Sequence, residues 1–254
     1  MSGKGFVLFS MPRTGSSMVV SILASHPDIV CLPAIFAERG WSDWAERAKK
    51  AQTDKVAQRM ATLPEKWNDI ECRTEEIGNF TAAMTGLFPE AKAVGFKQHL
   101  GSIGRETTAR IVGLNWPAIV LTRKNALASY SSGKIVELTG QGSLTVRQEP
   151  RRAKAKFVAL DFDNYARWLD AAYAYWQEEI AASGVPYMAI DYCEARNREG
   201  MERIVDFLGL RLEMLGEGRT AKRNSDDILN RFSNPEDAAA FLRERDLMHW
   251  ATEA

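Results

Sequence analysis

Within the first two dozen residues a short apolar run, a loop punctuated by proline and glycine, and an apolar-periodic segment follow one another directly. No other feature of the chain constrains its fold as strongly. Gly5-Phe6-Val7-Leu8-Phe9-Ser10 has strand character and is too short for a lone helix. Met11-Pro12-Arg13-Thr14-Gly15-Ser16-Ser17 reads as a tight loop. Met18 to Ala24 then carries apolar side chains at helical spacing and stops before His26-Pro27, where proline ends a helix. A strand, a small-residue loop and a helix in succession turn backbone N–H groups and a positive helix end toward an anion. Arg13 and the hydroxyls of Thr14, Ser16 and Ser17 suit a phosphate or sulfate group.

A nucleotide triphosphatase loop would need G-x-x-x-x-G-K-[ST], with its lysine after the second glycine. Here Ser10 stands at the first glycine, Ser16 at the lysine, and the cation lies two residues before Gly15 as Arg13. The arrangement P-[KR]-[ST]-G-[ST]-[ST] resembles the 5′-phosphosulfate loop of sulfotransferases that use PAPS (3′-phosphoadenosine 5′-phosphosulfate). An ordinary βα turn with hydroxyl caps would share part of the pattern. Two further readings of the same residues are a P-loop kinase with a degenerate loop and an inactive relative that binds PAP, the desulfated donor.

The rest of the chain extends the pattern. Apolar strands are expected at Asp28–Leu32, Ala93–Leu100, Pro117–Thr122 and Pro186–Tyr192, with helices between them. This favours an α/β fold with a mainly parallel central sheet, a P-loop-like sulfotransferase fold by resemblance. We find no repeat and no linker in the 254 residues, so a single domain, 1–254, is expected. Residues 41–88 read as a helical insertion over the sheet edge, with one helix over 41–62 and a second from Thr74 to Phe88. Residues 139–157 read as a flexible basic loop containing Arg147, Arg151, Arg152, Lys154 and Lys156. Trp168, Ala172 and Trp176 recur at i, i+4 and i+8 of a long helix and are assigned to the core. Asp161 and Asp163 resemble a metal pair, but they stand at that helix's start, where acids cap.

The site assignments follow from the resemblance. Lys97-Gln98-His99-Leu100 is similar to the K-T-H-L segment of cytosolic sulfotransferases, which implies His99 as the base for the acceptor hydroxyl, with Lys97 beside it. Arg123 closes a strand and Ser131 follows eight residues later; in the family that pair holds the donor's 3′-phosphate. A guanidinium fork plus a hydroxyl suits a phosphate monoester. By the same resemblance Tyr192 lies near the adenine, with Cys193 where a glutamate is usual and Glu194 displaced by one. Arg219, Lys222 and Arg223 form a late basic loop, a second set of 3′-phosphate contacts. Glu38 is an alternative base, although an acid at a helix start has a solvated role as readily. His26 and His249 have no such context.

The similarity runs from Phe6 to about Leu242. It is strongest to compact bacterial carbohydrate-type members, though Lys97 and His99 follow the cytosolic type. It implies PAPS as donor, PAP as product, no metal, and a carbohydrate, glycolipid or small alcohol as acceptor. Net charge is zero, so no global field would recruit nucleic acid or a membrane. No apolar stretch approaches the roughly 20 residues that span a bilayer. The first strand begins almost at Met1, and the three scattered cysteines read as reduced thiols, so a cytoplasmic enzyme is expected, with a homodimer as the default assembly.

Overall fold

Short runs of β-branched and aromatic residues, each ended by loop formers, pair side by side because neither of their faces tolerates water. In the computed structural model, residues 5–37, 55–100, 102–142, 148–211, 215–216, 218 and 224–253 are described. One sheet contains β1 Gly5–Ser10, β2 Ile29–Leu32, β3 Ala93–His99, β4 Ala118–Thr122 and β5 Tyr187–Asp191. The spatial order is β2-β3-β1-β4-β5 and every pairing is parallel. β1 lies at the centre and is buried along its whole length, as a strand covered on both faces must be.

Alternation along each strand sorts the side chains. Phe6, Leu8, Cys31 and Leu121 pack with α1 (Ser16–Leu23) and with Met201, Ile204 and Val205 of the helix Arg198–Phe207. Val7, Phe9, Val94, Phe96 and Val120 face the larger core on the other side. There Phe36 meets Phe80 and Phe96 edge-on, at centroid separations of 5.6 and 5.4 Å. Such pairs add about 0.5–1.5 kcal/mol each beyond simple burial.

Two sequence expectations change in detail, and a third is described only in part. The helix expected over 74–88 is two helices, Ile70–Glu75 and Ile77–Gly86, broken at Glu76. The Glu76 carboxylate turns aside to Lys66 at 2.7 Å and to the Trp67 indole at 3.3 Å, holding the 3₁₀ turn Glu65–Asn68. Trp67, Phe80 and Met84 are buried, so this region completes the core beneath the sheet. Of the helix expected over 41–62, Lys55–Met60 is described and 41–54 lie outside the described residues. Trp168 is half-exposed rather than core. Each i+4 step advances about 40° around a helix, so a stripe that starts on the exposed side at Trp168 drifts toward the buried line Phe162, Leu169, Tyr173, Trp176 and Ile180 of the helix Ala159–Ala182 and joins it only at Trp176. Asp163 pairs with Arg167 at 2.9 Å in that helix's opening turns.

Parallel strands share one edge for their C-terminal ends. Ser10 lies opposite His99, and Thr122 opposite Asp191. From β1 the chain turns through α1 to β2 on one side, and later crosses to β4 on the other. These connections diverge beside the end of β1, the position where ligands gather in open α/β sheets.

Candidate active site

The loop after β1 is built from two left-handed residues, Arg13 (φ 68°) and Gly15 (φ 83°). The Thr14 hydroxyl donates to the Met11 carbonyl at 2.8 Å and holds the turn. Gly15 caps α1 with its carbonyl, which accepts from the Met18 and Val19 amides at 2.9 and 3.3 Å. Among the described residues, the amides of Thr14, Gly15, Ser16 and Ser17 donate to no protein acceptor. They are the orphan donors of a helix start, and the helix dipole adds positive potential there. Pro12 stands exposed at the rim, while Ser16 is buried and Ser17 half-buried.

Tyr192 opens a short helix, Tyr192–Ala195, immediately after β5. Its ring lies against Gly15 so closely that a Cβ there would fall 2.3 Å from two ring carbons. Gly15→Ala therefore combines a left-handed backbone, unfavourable by about 1–2 kcal/mol for an L residue, with a ring that must move. Gly140→Ala shares the positive φ (66°) but meets nothing within 4 Å. In denaturant melts Gly15→Ala should lose clearly more stability than Gly140→Ala, and it alone should weaken binding of nucleotide 5′-phosphates.

Three basic side chains converge beside the loop. Lys97 and His99 project from the same face of β3, and Ser10, opposite His99, places its hydroxyl 3.2 Å from His99 Nδ1. Burial, with nearby Arg13 acting in the same direction, lowers the Lys97 ammonium to about 8. The neighbouring Cys31 thiol is pushed by burial up to about 12, so at neutral pH it is uncharged and supplies no counter-charge. Burial also holds His99 down to about 4, with Lys97 and Arg13 acting in the same direction. Its imidazole is neutral across the physiological range. Ser10 presents its backbone carbonyl to the ring as well as its hydroxyl. Whichever tautomer Ser10 holds, the neutral ring keeps a lone pair on one nitrogen. Arg13 Nε donates to the Ser132 hydroxyl at 3.1 Å and its Nη1 to the Gly142 carbonyl, so the helix Ala126–Thr139 and the turn after it hold the guanidinium.

Arg123 follows β4 and is buried. Its Nη1 donates to the Arg13 carbonyl at 2.6 Å, tying it to the loop, and its guanidinium stacks 4.5 Å over the Tyr192 ring. Its Nε and Nη2 go to the Glu253 carboxylate. Asn125 caps the next helix through the Ala128 amide at 3.0 Å, and that helix carries Ser131 back toward Arg123. The two do not touch. Ser131 Oγ donates to the Ala128 carbonyl at 3.1 Å and accepts from Arg231 Nη1 at 3.2 Å. Arg231 Nη2 in turn reaches Glu253 at 3.2 Å. Arg231 and Glu253 are absent from the sequence-level assignments, because separations of 100 and 130 residues leave no local pattern to read.

The remaining candidates separate by context. Glu194 forms a capping box with Asp191, and its carboxylate accepts from the Asp191 amide at 2.9 Å. The displaced glutamate is thus a helix-start residue, paired also with Arg203. His26 is structural: Nε2 lies 2.8 Å from the Arg211 carbonyl and Nδ1 accepts from the Asp28 amide at 3.1 Å. His249 is exposed. Glu38, Arg147, Arg219, Lys222 and Arg223 lie outside the described residues. In the basic stretch, Ala155 and Phe157 are buried while Arg152, Lys154 and Lys156 are exposed. Arg151 ties the stretch to Thr139 and Gln141. Among the described residues no group of three His, Cys, Asp or Glu side chains is placed to hold a metal.

Comparison with known proteins gives the family and the fold. The model of the sulfotransferase family matches residues 6–214. No curated protein sequence matches the chain. Among solved structures, a sulfotransferase from Alicyclobacillus acidocaldarius aligns with 98% of this chain and 98% of its own, at 17% identity and a TM-score of 0.50. This likeness is one of fold. The sulfotransferase domain of the olefin synthase from Synechococcus PCC 7002 aligns with 91% of this chain and 78% of its own, at 12% identity and a TM-score of 0.45.

Proposed function

The chain belongs to the sulfotransferase family, and from that premise we propose that it transfers a sulfuryl group from PAPS to an acceptor hydroxyl in one in-line step, releasing PAP. The observation that carries this reading is the meeting of Arg13, Lys97 and neutral His99 beside the unpaired amides of Thr14–Ser17, at one end of a parallel sheet. The donor set fits a phosphosulfate: fixed N–H groups and two cations for the oxygens, and a base next to them.

His99 removes the acceptor proton as the acceptor oxygen bonds to sulfur. The bond from sulfur to the bridging oxygen of the 5′-phosphate breaks, and its electron pair stays on that oxygen. Arg13, Lys97 and the loop amides face the charge that develops there. Arg123 and Ser131 distinguish the donor from nucleotides that lack a 3′-phosphate, and Tyr192 buttresses the loop from the adenine side. Arg219, Lys222 and Arg223 are assigned by resemblance to the same phosphate. No helix among the described residues is long and apolar enough to cross a membrane, and we place the enzyme in the cytoplasm.

Thermal stability with PAP, with 5′-AMP and with ATP plus Mg²⁺ tests this reading. A ligand at about 100 times its Kd adds roughly 2.7 kcal/mol of stability. Stabilisation by PAP and not by 5′-AMP is expected; stabilisation by Mg-ATP alone would identify a kinase instead.

The pH dependence of kcat/KM provides a second test. His99 must be neutral and Lys97 charged, so the free enzyme should lose activity only below about 4 and above about 8. An acid limb at the ordinary imidazole value of 6.5 would contradict the assignment. Both groups bind fewer protons folded than unfolded. Their contribution to stability therefore rises with pH, from about 4 to 6.5 for His99 and from about 8 to 10.5 for Lys97.

A further inference from the structure

Two buried guanidiniums share one carboxylate behind the loop. Arg123 gives Nε and Nη2 to one oxygen of Glu253, Arg231 gives Nη2 to the other, and Arg231 Nη1 reaches Ser131 Oγ. Arg123 is 7% exposed, Arg231 4%, Ser131 0% and Glu253 4%. A carboxylate brings one negative charge to these two guanidiniums. A phosphate monoester brings close to two, with three acceptor oxygens, and so complements two guanidinium forks and a hydroxyl more fully. The two anions exclude each other, because a phosphate at these donors would lie against a buried carboxylate.

We propose that Arg231 joins Arg123 and Ser131 in a pocket for the donor's 3′-phosphate, and that the Glu253 carboxylate fills this pocket until the phosphate displaces it. The proposal rests on the assignment of Arg123 and Ser131 to that phosphate. Glu253 is delivered by a segment paired to the one that carries Arg231: the Glu253 amide donates to the Asp226 carbonyl at 2.9 Å, and the Ile228 amide to the Ala251 carbonyl at 2.9 Å. Because Glu253 sits on this pairing, displacement of its side chain by the donor is expected to loosen both hydrogen bonds.

Calorimetric titration of wild type, Glu253→Gln and Arg231→Lys with PAP and with 5′-AMP tests the exchange. Glu253→Gln should bind PAP at least tenfold more tightly, since the amide does not compete as an anion. Arg231→Lys should bind PAP at least tenfold more weakly, and neither change should alter 5′-AMP affinity. Equal or weaker PAP binding by Glu253→Gln would overturn the proposal, because the carboxylate would then be orienting the arginines rather than occupying their site. If wild type and Glu253→Gln both fail to tell PAP from 5′-AMP, the 3′-phosphate assignment itself falls and the exchange with it. Should Glu253→Gln not fold, hydrogen exchange on wild type decides: PAP should speed exchange at the Glu253 and Ile228 amides, and slowing at those amides would refute displacement.

Discussion

Replacing His99 with alanine should lower kcat by roughly 10²–10⁴-fold, the range for loss of a positioned general base, while PAP binding stays near wild type. The expectation rests on the protonation state. Burial and two neighbouring cations keep the ring neutral at pH 7, and a neutral imidazole carries a lone pair on one nitrogen. His26→Ala is the matched control. That histidine is also buried, but both nitrogens are occupied by the Arg211 carbonyl and the Asp28 amide. Its loss should lower the melting temperature and leave kcat unchanged. Single-turnover rates with saturating donor separate the two effects. A His99→Ala enzyme within tenfold of wild type would remove His99 from the chemistry.

Arg13→Ala should lower kcat by roughly 10²–10³-fold, the usual cost of one preorganised donor to a developing negative charge. Arg13 is held in a left-handed backbone that few side chains adopt. Its guanidinium is braced by Ser132 and the Gly142 carbonyl, so its position is set before substrate arrives. Arg13→Lys keeps the charge without the fork and should recover only part of the rate. Removing Arg13 also relieves the repulsion felt by Lys97 and His99. The pH limbs of the Arg13→Ala enzyme should therefore move upward, a readout that a merely misfolded loop would not produce. Steady-state rates across pH 4–9 measure both effects; unchanged kcat would show that the loop amides and Lys97 suffice.

Local chemistry made part of this legible in advance. The loop was readable because Pro12, Gly15 and the hydroxyl residues impose their geometry within seven positions, and the structure adds only that Arg13 shares the left-handed conformation. Lys97 and His99 were readable because strand period places alternate residues on one face, whatever packs there. The long helix was readable in extent but not in orientation: Trp168 matches the spacing of Trp176, yet only packing against the sheet decides which turn of the stripe is covered. The break at Glu76 was not readable, since neither proline nor glycine stands at it and the partners of its carboxylate, Lys66 and Trp67, lie outside the helical pattern.

The sequence alone determined the α/β architecture, the strand–loop–helix at its start and the shared face of Lys97 and His99, because each depends on residues within a few positions of one another, where backbone geometry and side-chain period act directly. Tertiary structure alone decided the lowered proton affinities of Lys97 and His99, the bracing of Arg13 by a helix more than a hundred residues away, and the chain of contacts Arg123–Glu253–Arg231–Ser131. These depend on burial and on charges brought together by parallel strands whose connections are long. Electrostatics in a dry site is set by what lies near in space, and sequence distance carries no record of it.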